Sequence, residues 1–484
     1  MMDNQTSKEN FNLLDRDWIP VLYLDGRWTR VGIRKALEEA GRIRQIAASN
    51  PMDRVATLRF LLALLYWCKG NPQEGKETRA RESFPEEWFK KLEENRGCFN
   101  LLGGGKRFYQ DGSPGGMNAE HTTHYLIHEV PSGTNKWHFR HSTDKETGLC
   151  PACCAMGLLR LPVFATQGGS GKSPGINAKP PNYVLREGVT LAACLRLNWQ
   201  KTDRELGTPE WENPGQPLPQ NGDVPLLMGL TWLPRKVWLG DPAEPQAGCI
   251  QCGRREFLVR NCVWDGKGSL KKIGFRWNDP HVIYFTSGKG KDTSLHASDV
   301  IVTSDAAAGQ WASVTAGVLR QPNSGIVSCV GFSTDQDKYL EAIEFKVAST
   351  QLVDRTTTDV EQIKQWQNEG SGLHRNLVRK LQRQNEREKK RKHTEIKPLI
   401  DSIRPQVEHN VSAKARDLLA GGDEAWQQAA KEYCPMMDIV AKSVSPGVTV
   451  KAVERRRLIA SVSPDMRPKA EPGKKSSRKK GDAK

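Results

Sequence analysis

The chain has 484 residues, 37% of them apolar, and carries 72 Lys and Arg against 56 Asp and Glu, a formal net charge of +16. That length supports a large core and two or more domains, and the charge favours polyanionic partners. The polar segment 1–16 lacks the apolar stretch of a secretory leader, and the longest apolar run, 60–68, is too short to span a bilayer. A soluble, cytoplasmic protein with no membrane partner is expected.

In chain order, the first element is a β-hairpin. Residues 18–24 and 27–33 are strand-like and flank Asp25-Gly26, a strong turn signal. A helix is expected over 34–40. Asn50-Pro51 reads as an N-cap followed by proline at the first helical position, opening an apolar core helix to Lys69 that Gly70-Asn71 stops. The glycine-rich stretch 103–116 reads as loop. Regular structure is expected to be sparse over 137–181, where glycine and proline recur, and 213–223 is another connection. Strand-like runs follow at 224–232, 257–263, 281–285, 300–302 and 326–332.

After about Tyr339 helical periodicity dominates. Leu373, Leu377 and Leu381 form an i, i+4, i+8 stripe, and further helical stripes lie around 411–419, 425–433 and 450–459. Short breaks between them predict antiparallel packing. The fold class expected is α+β: a mixed α/β domain over 1–345, a C-terminal helical bundle of four-helix type over 346–460, and a disordered basic tail over 461–484.

Two Cys-x-x-Cys pairs carry the most chemistry. Cys150 and Cys153, with Cys249 and Cys252, have the spacing of two knuckles that close one four-sulfur structural zinc site. The competing reading is ordinary buried thiols, and Cys154 is a competing third thiol beside the first pair. Disulfides fit poorly, because 11 cysteines is an odd count and nothing marks the chain as secreted. Gly171-Lys172-Ser173 resembles the end of a phosphate-binding loop, but Thr166 stands where that motif needs glycine and prolines follow at once. A flexible basic glycine loop remains, able to approach a ligand closely. His121, His124 and His128 would share a helix face, either as metal ligands or as a polar surface. The basic run through Arg375, Arg379, Lys380, Arg383 and Arg387 reads as a solvated face or as a groove for a nucleic-acid backbone. No nucleophile elbow and no nuclease-like acidic cluster argues for catalysis.

These pieces together resemble the CasA family, the large subunits of type I-E CRISPR Cascade surveillance complexes. The opening Asn12-Leu-Leu-Asp-Arg-Asp-Trp18-Ile-Pro-Val21 is similar to the family's first strand, and the Cys pairs fall where the family places its zinc knuckles. Phe139, ahead of Cys150, matches the aromatic of a DNA-contacting loop. Gly168, Gly169, Ser170 and Gly171, followed by Lys172, resemble the glycine loop that contacts the protospacer-adjacent motif (PAM). Gly331-Phe-Ser-Thr-Asp-Gln336 resembles a hairpin whose glutamine wedges into the duplex. The segment holding Lys267, Lys271 and Lys272 is where the family inserts a lysine into the minor groove. Ser170 and Asp335 depart from the family's pattern.

The resemblance implies a non-catalytic subunit that recognises the PAM in double-stranded target DNA through the minor groove, starts duplex opening for guide-RNA pairing, and helps recruit a helicase-nuclease. The minor groove carries a degenerate code, which suits a backbone reader tolerant of several sequences. Implied partners are the guide-RNA ribonucleoprotein, with its backbone, 5′-end and small subunits, and the helicase-nuclease. One structural zinc is the implied cofactor. The alternatives are a zinc-dependent nucleic-acid enzyme, which needs an open coordination position, and a general RNA-binding zinc protein.

Overall fold

The computed structural model describes residues 11–72, 83–111, 120–129, 147–166, 173–177, 181–244, 248–266, 274–283, 326–335 and 338–348. All of them belong to one compact unit, residues 1–295 with 307–353; the second unit, 296–306 with 354–484, lies outside the described residues.

The N-terminal hairpin forms as its turn residues dictate. Strands β1 (Ile19–Tyr23) and β2 (Trp28–Val31) pair antiparallel, and Gly26 supplies the positive φ of +86° that the turn requires. Helix α1 (Ile33–Glu38) and strand β3 (Ile43–Ile46) follow, giving a three-stranded sheet in the order β2-β1-β3. Helix α2 (Pro51–Lys69) runs through the core. The Asn50 side chain accepts the Met52 N–H at 2.8 Å and Gly70 ends the helix at a φ of +78°. Leu61, Leu62, Leu64 and Leu65 are buried, each contributing about 1.5–3 kcal/mol over an exposed position. Short helix α3 (Lys90–Glu94) and strand β4 (Glu120–Thr122) precede helix α4 (Pro151–Phe164).

Helix α4 overturns the expectation of sparse regular structure over 137–181. It is buried all round, so it shows no amphipathic period. Its punctuating residues are accommodated. At Gly157 a Cβ would stand 2.7 Å from that of Leu126, so glycine allows a close approach, and Pro162 sits two residues before the end of the helix, so almost no helix follows it to be disrupted.

Strand β5 (Asn182–Glu187), helix α5 (Leu191–Asn198), helix α6 (Leu226–Thr231) and strand β6 (Arg235–Leu239) follow. Helix α6 replaces the strand expected over 224–232. A short apolar run does not distinguish the two, and Gly229 lets the run pack under the Trp277 ring, which a Cβ would meet at 2.2 Å. Strands β7 (Pro242–Ala243), β8 (Leu258–Val259), β9 (Asn261–Gly266), β10 (Val282–Ile283), β11 (Ile326–Asp335) and β12 (Lys338–Ala348) complete the described elements. Strand β12 overturns the helical reading for residues 339–348. Its partner β11 fixes it as a strand along its whole length, from Ile326↔Ala348 to Asp335↔Lys338. The larger sheet has the order β10-β5-β11-β12, and a second three-stranded sheet the order β4-β9-β6. The helical bundle expected beyond 348 and the basic tail lie outside the described residues.

Candidate metal centre

The described part of the candidate site is built at the start of α4. Cys150 is the N-cap of that helix, with Pro151 at its first position, and Cys153 lies one turn along. Thiolates there face the positive end of the helix dipole. The second pair sits on a tight knuckle. Cys249 O accepts from Gly253 N–H at 2.7 Å, Cys249 N–H donates to Arg254 O at 2.8 Å, and Gly253 takes a φ of +73°. Gly248 must be glycine for this turn, since a Cβ would lie 2.6 Å from Gly253 O.

Backbone pairing brings the knuckles together. Leu149 and Val259 exchange hydrogen bonds at 3.0 and 2.8 Å, and Ile250 N–H donates to Gly148 O at 3.2 Å. The sulfurs of Cys150, Cys153, Cys249 and Cys252 consequently all lie within 4.8 Å of one another. Cys150 Sγ is 3.7 Å from Cys252 Sγ, and the Cys150 N–H points at Cys249 Sγ at 3.3 Å. Ligands 2.3 Å from a tetrahedral ion stand about 3.8 Å apart, so the set fits a thiophilic tetrahedral metal. Four sulfurs fill its coordination, which suits a structural role and leaves no open position for chemistry.

Electrostatics fit the same role. Hydrogen bonds from Cys150 and Cys153 pull the Cys249 thiol down to about 6 and the Cys252 thiol down further, while those same bonds hold protons on Cys150. A metal ion held by the four sulfurs would displace the protons that these bonds retain. Arg30, on β2, stands beside it. Burial works against this guanidinium, but contact with Cys252 and the charge of Cys153, Cys252 and Cys150 raise its pKa. Arg30 thus places a positive charge where a four-thiolate metal site would carry excess negative charge. No sequence signal marks it, because it reaches the site from far along the chain.

Cys154, the competing thiol, is excluded from the cluster. Its Sγ faces Leu149 O at 3.7 Å, and burial raises its pKa well above the usual thiol range. The histidine triplet does not share a helix face. His121 lies on β4, His124 is buried against Thr147 Oγ1 at 3.1 Å, and His128 faces Phe164 O at 3.1 Å. Among the described residues the four cysteines are the one group placed to hold a metal.

The family profile described as CRISPR-associated protein Cse1 matches residues 12–438. The chain belongs to the CRISPR-associated Cse1 family. A Cse1 relative, the CRISPR-associated protein CasA/Cse1 of Thermus thermophilus, is 30% identical over 220 residues, which cover 43% of this chain and 43% of that relative. The solved Thermus thermophilus CasA (Cse1) superposes with a TM-score of 0.66 at 20% identity, covering 94% of this chain and 100% of that one. Cse1 from Acidimicrobium ferrooxidans gives a TM-score of 0.60 at 18% identity, covering 95% of this chain and 99% of that one. A chain of a CRISPR RNA-guided surveillance complex gives 0.62 at 15% identity, covering 95% of this chain and 100% of that one. These likenesses show that the chain shares the Cse1 fold, and the resemblance to CasA read from the sequence is borne out.

The expected DNA-contacting residues of this Cse1 chain, Phe139, Gly168, Gly169, Ser170, Gly171, Lys172, Lys267, Lys271, Gln336, Arg379, Lys380 and Arg383, lie outside the described residues. Several of their flanks do not. Gln336 falls between Asp335 and Lys338, the last pair of the β11–β12 ladder, so described strands lead to and from it. Thr166 and Ser173 flank the glycine segment, and Gly266 and Gly274 flank the lysine segment. Among the described residues no helix is long and apolar enough to cross a membrane.

Proposed function

We propose that this chain is the non-catalytic large subunit of a type I-E Cascade, reading the PAM of double-stranded DNA and starting strand separation for the guide RNA. Membership of the Cse1 family over residues 12–438 carries this reading. The glycine segment 168–171 approaches the minor groove by its backbone, with Lys172 beside it and Lys267 or Lys271 inserted next to it. Such contacts tolerate a degenerate groove code. Gln336, at the end of the β11–β12 hairpin, acts as the wedge, and a wedge lowers the cost of opening the first base step. Phe139 contacts the same duplex, while Arg379, Lys380 and Arg383 hold the DNA backbone without reading sequence.

The four-cysteine cluster holds zinc as a structural ion that ties α4 to the 249–253 knuckle. A closed sulfur site disfavours the reading of a zinc-dependent enzyme. Guide-RNA pairing supplies the sequence specificity. The partners are the guide-RNA ribonucleoprotein, with its backbone, 5′-end and small subunits, and a helicase-nuclease recruited after opening.

The test is reconstitution. The tagged chain should bring down a guide-RNA ribonucleoprotein, and the complex should bind matched duplex more tightly with a PAM than without one. Gly169→Leu should abolish that preference, because the segment works by having no side chain. Equal binding to RNA and to PAM-bearing duplex would instead favour a general RNA-binding protein.

A further inference from the structure

Residues 167–172 and 267–273 are separated by about a hundred positions, yet the described residues that flank them share two anchors. The first is Arg235, at the start of β6 and 3% exposed. Its guanidinium donates to Thr166 O at 2.6 Å and to Ser173 O, the residues on either side of the glycine segment. A further donor goes to Pro234 O at 3.0 Å. Beside this clamp, Gly175 N–H donates to Ala165 O at 2.9 Å, so the chain leaves and returns at one point. In the β6–β9 ladder Arg235 pairs with Gly266, the residue immediately before Lys267.

The second anchor lies a few residues beyond the C-terminal ends of the two segments. Trp277 Nε1 donates to Asn177 Oδ1 at 2.9 Å, and Asn177 in turn donates to Asp279 and to the Tyr183 hydroxyl, both at 3.1 Å. Asp279 is held by Arg59 of α2 at 2.7 and 2.8 Å. The return of the glycine segment and the return of the lysine segment are therefore tied to each other and to the core.

Arg235 is an expensive way to fill this position. Among the described residues no carboxylate pairs with it, and its Nε is buried without a hydrogen-bond partner. Burial pulls its pKa down to about 10. Thr166 and Ser173 are only half-buried, so water could meet their carbonyls if the arginine were absent. Core stability alone does not require a guanidinium here. What the guanidinium adds is a planar fork that fixes the separation of two carbonyls. A segment with fixed ends has fewer conformations to lose when it meets a ligand.

Resting on the PAM-reading function proposed above, we propose that Arg235 is a positioning residue: it clamps both ends of the glycine segment and, through its ladder partner Gly266, sets the start of the lysine segment.

The test compares Arg235→Met, which keeps the apolar stem and removes every donor, with Arg235→Lys, which keeps the charge without the fork. Each is assembled into the full complex, and affinity is measured for matched duplexes with and without a PAM. Melting temperature and metal content of the chain are measured alongside. For Arg235→Met the PAM preference should fall about 10- to 100-fold, the size expected of an ångström-scale misplacement, with melting and metal content near the parent. Arg235→Lys should recover part of it. A parent-like preference in Arg235→Met overturns the proposal. So does a preference that falls only in proportion to lost melting temperature and metal in both variants. Gly169→Leu, run in parallel, separates the two claims. If it keeps PAM preference, the glycine segment is not the reader; if it loses preference while Arg235→Met does not, only the clamp fails.

Discussion

Replacing Cys249 and Cys252 together by serine tests the metal centre most directly. The two knuckles are 99 positions apart between Cys150 and Cys249, so the ion closes a long loop in the unfolded chain. A cross-link over a loop of that length is worth about 4.7 kcal/mol in chain entropy. The hydrogen bonds between Leu149 and Val259 and from Ile250 to Gly148 do not involve sulfur, so the native geometry persists in part without the ion. Loss of metal should then weaken the fold rather than abolish it. At about 2 °C per kcal/mol for a large cooperative unit, melting should drop by roughly 10 °C. The assay is thermal unfolding of the parent with and without chelator, with metallochromic counting of released ion. One zinc per chain is expected, and none in the double variant. Freshly purified parent protein without zinc, or a chelator-stripped parent that melts unchanged, would refute the reasoning.

Arg30→Met should lower zinc affinity about tenfold or more by removing charge compensation beside Cys252, the usual size of an outer-shell effect; competition with a calibrated chelator reads it, and unchanged affinity sinks the assignment. His281 is fully enclosed, and burial and Arg59 hold its pKa near 4, against 6.5 for a free histidine. A lowered folded pKa means that its contribution is complete above pH 6.5 and is lost as pH falls toward 4. Denaturant unfolding at pH 7 and pH 4.5 should therefore differ by about 2 kcal/mol from this group, and His281→Gln should flatten that slope; an unaltered slope contradicts it. Reversing Arg379, Lys380 and Arg383 together should weaken DNA binding equally for all PAMs and lower its salt dependence; a PAM-selective effect would exclude a backbone groove. Gln336→Ala should spare docking more than strand opening, read by a permanganate footprint; equal loss of both would remove its role as a wedge.

The sequence was legible where local chemistry dictates local structure. Asp25-Gly26 sets the β1–β2 turn, and the Asn50 cap with Gly70 bounds α2, because each of these residues acts on its own neighbours. The cysteine pairs were legible because metal ligation demands a fixed spacing. Misreadings arose where tertiary context overrides local signals. Helix α4 carries Gly157 and Pro162, which punctuate most helices, but it is buried on every side and gains its stability from packing. Strand β12 has alternating polar residues that also satisfy a helical period, and only pairing with β11 decides between them. Arg30 and Arg235 were invisible for a different reason. Each looks like one more surface cation among the 72 Lys and Arg, and its role exists only through residues distant in sequence.

The same point extends to the charged residues of the core. Asp53 and Arg59 interrupt α2, a helix otherwise packed with leucines, and both are buried. Asp53 receives Arg160 of α4 at 2.9 Å, and Arg160 also bonds Glu129. Arg59 donates to Asp279 at 2.8 Å and touches His281 at 3.1 Å. Burial alone would push the Asp279 carboxyl up, but Arg59 holds it below the usual range. Leucines allow two helices to slide past each other with little change in buried area, whereas a two-point guanidinium–carboxylate contact has a single solution. The Asp53–Arg160 pair therefore fixes α4, whose first turn carries Cys150 and Cys153, against α2. The Arg59–Asp279 pair fixes against that same helix the loop that follows the lysine segment and leads into β10. On this geometry α2 is the common reference for both the metal centre and the flanks of the proposed DNA-reading segments. Its buried charges set register at positions where apolar side chains would supply only adhesion.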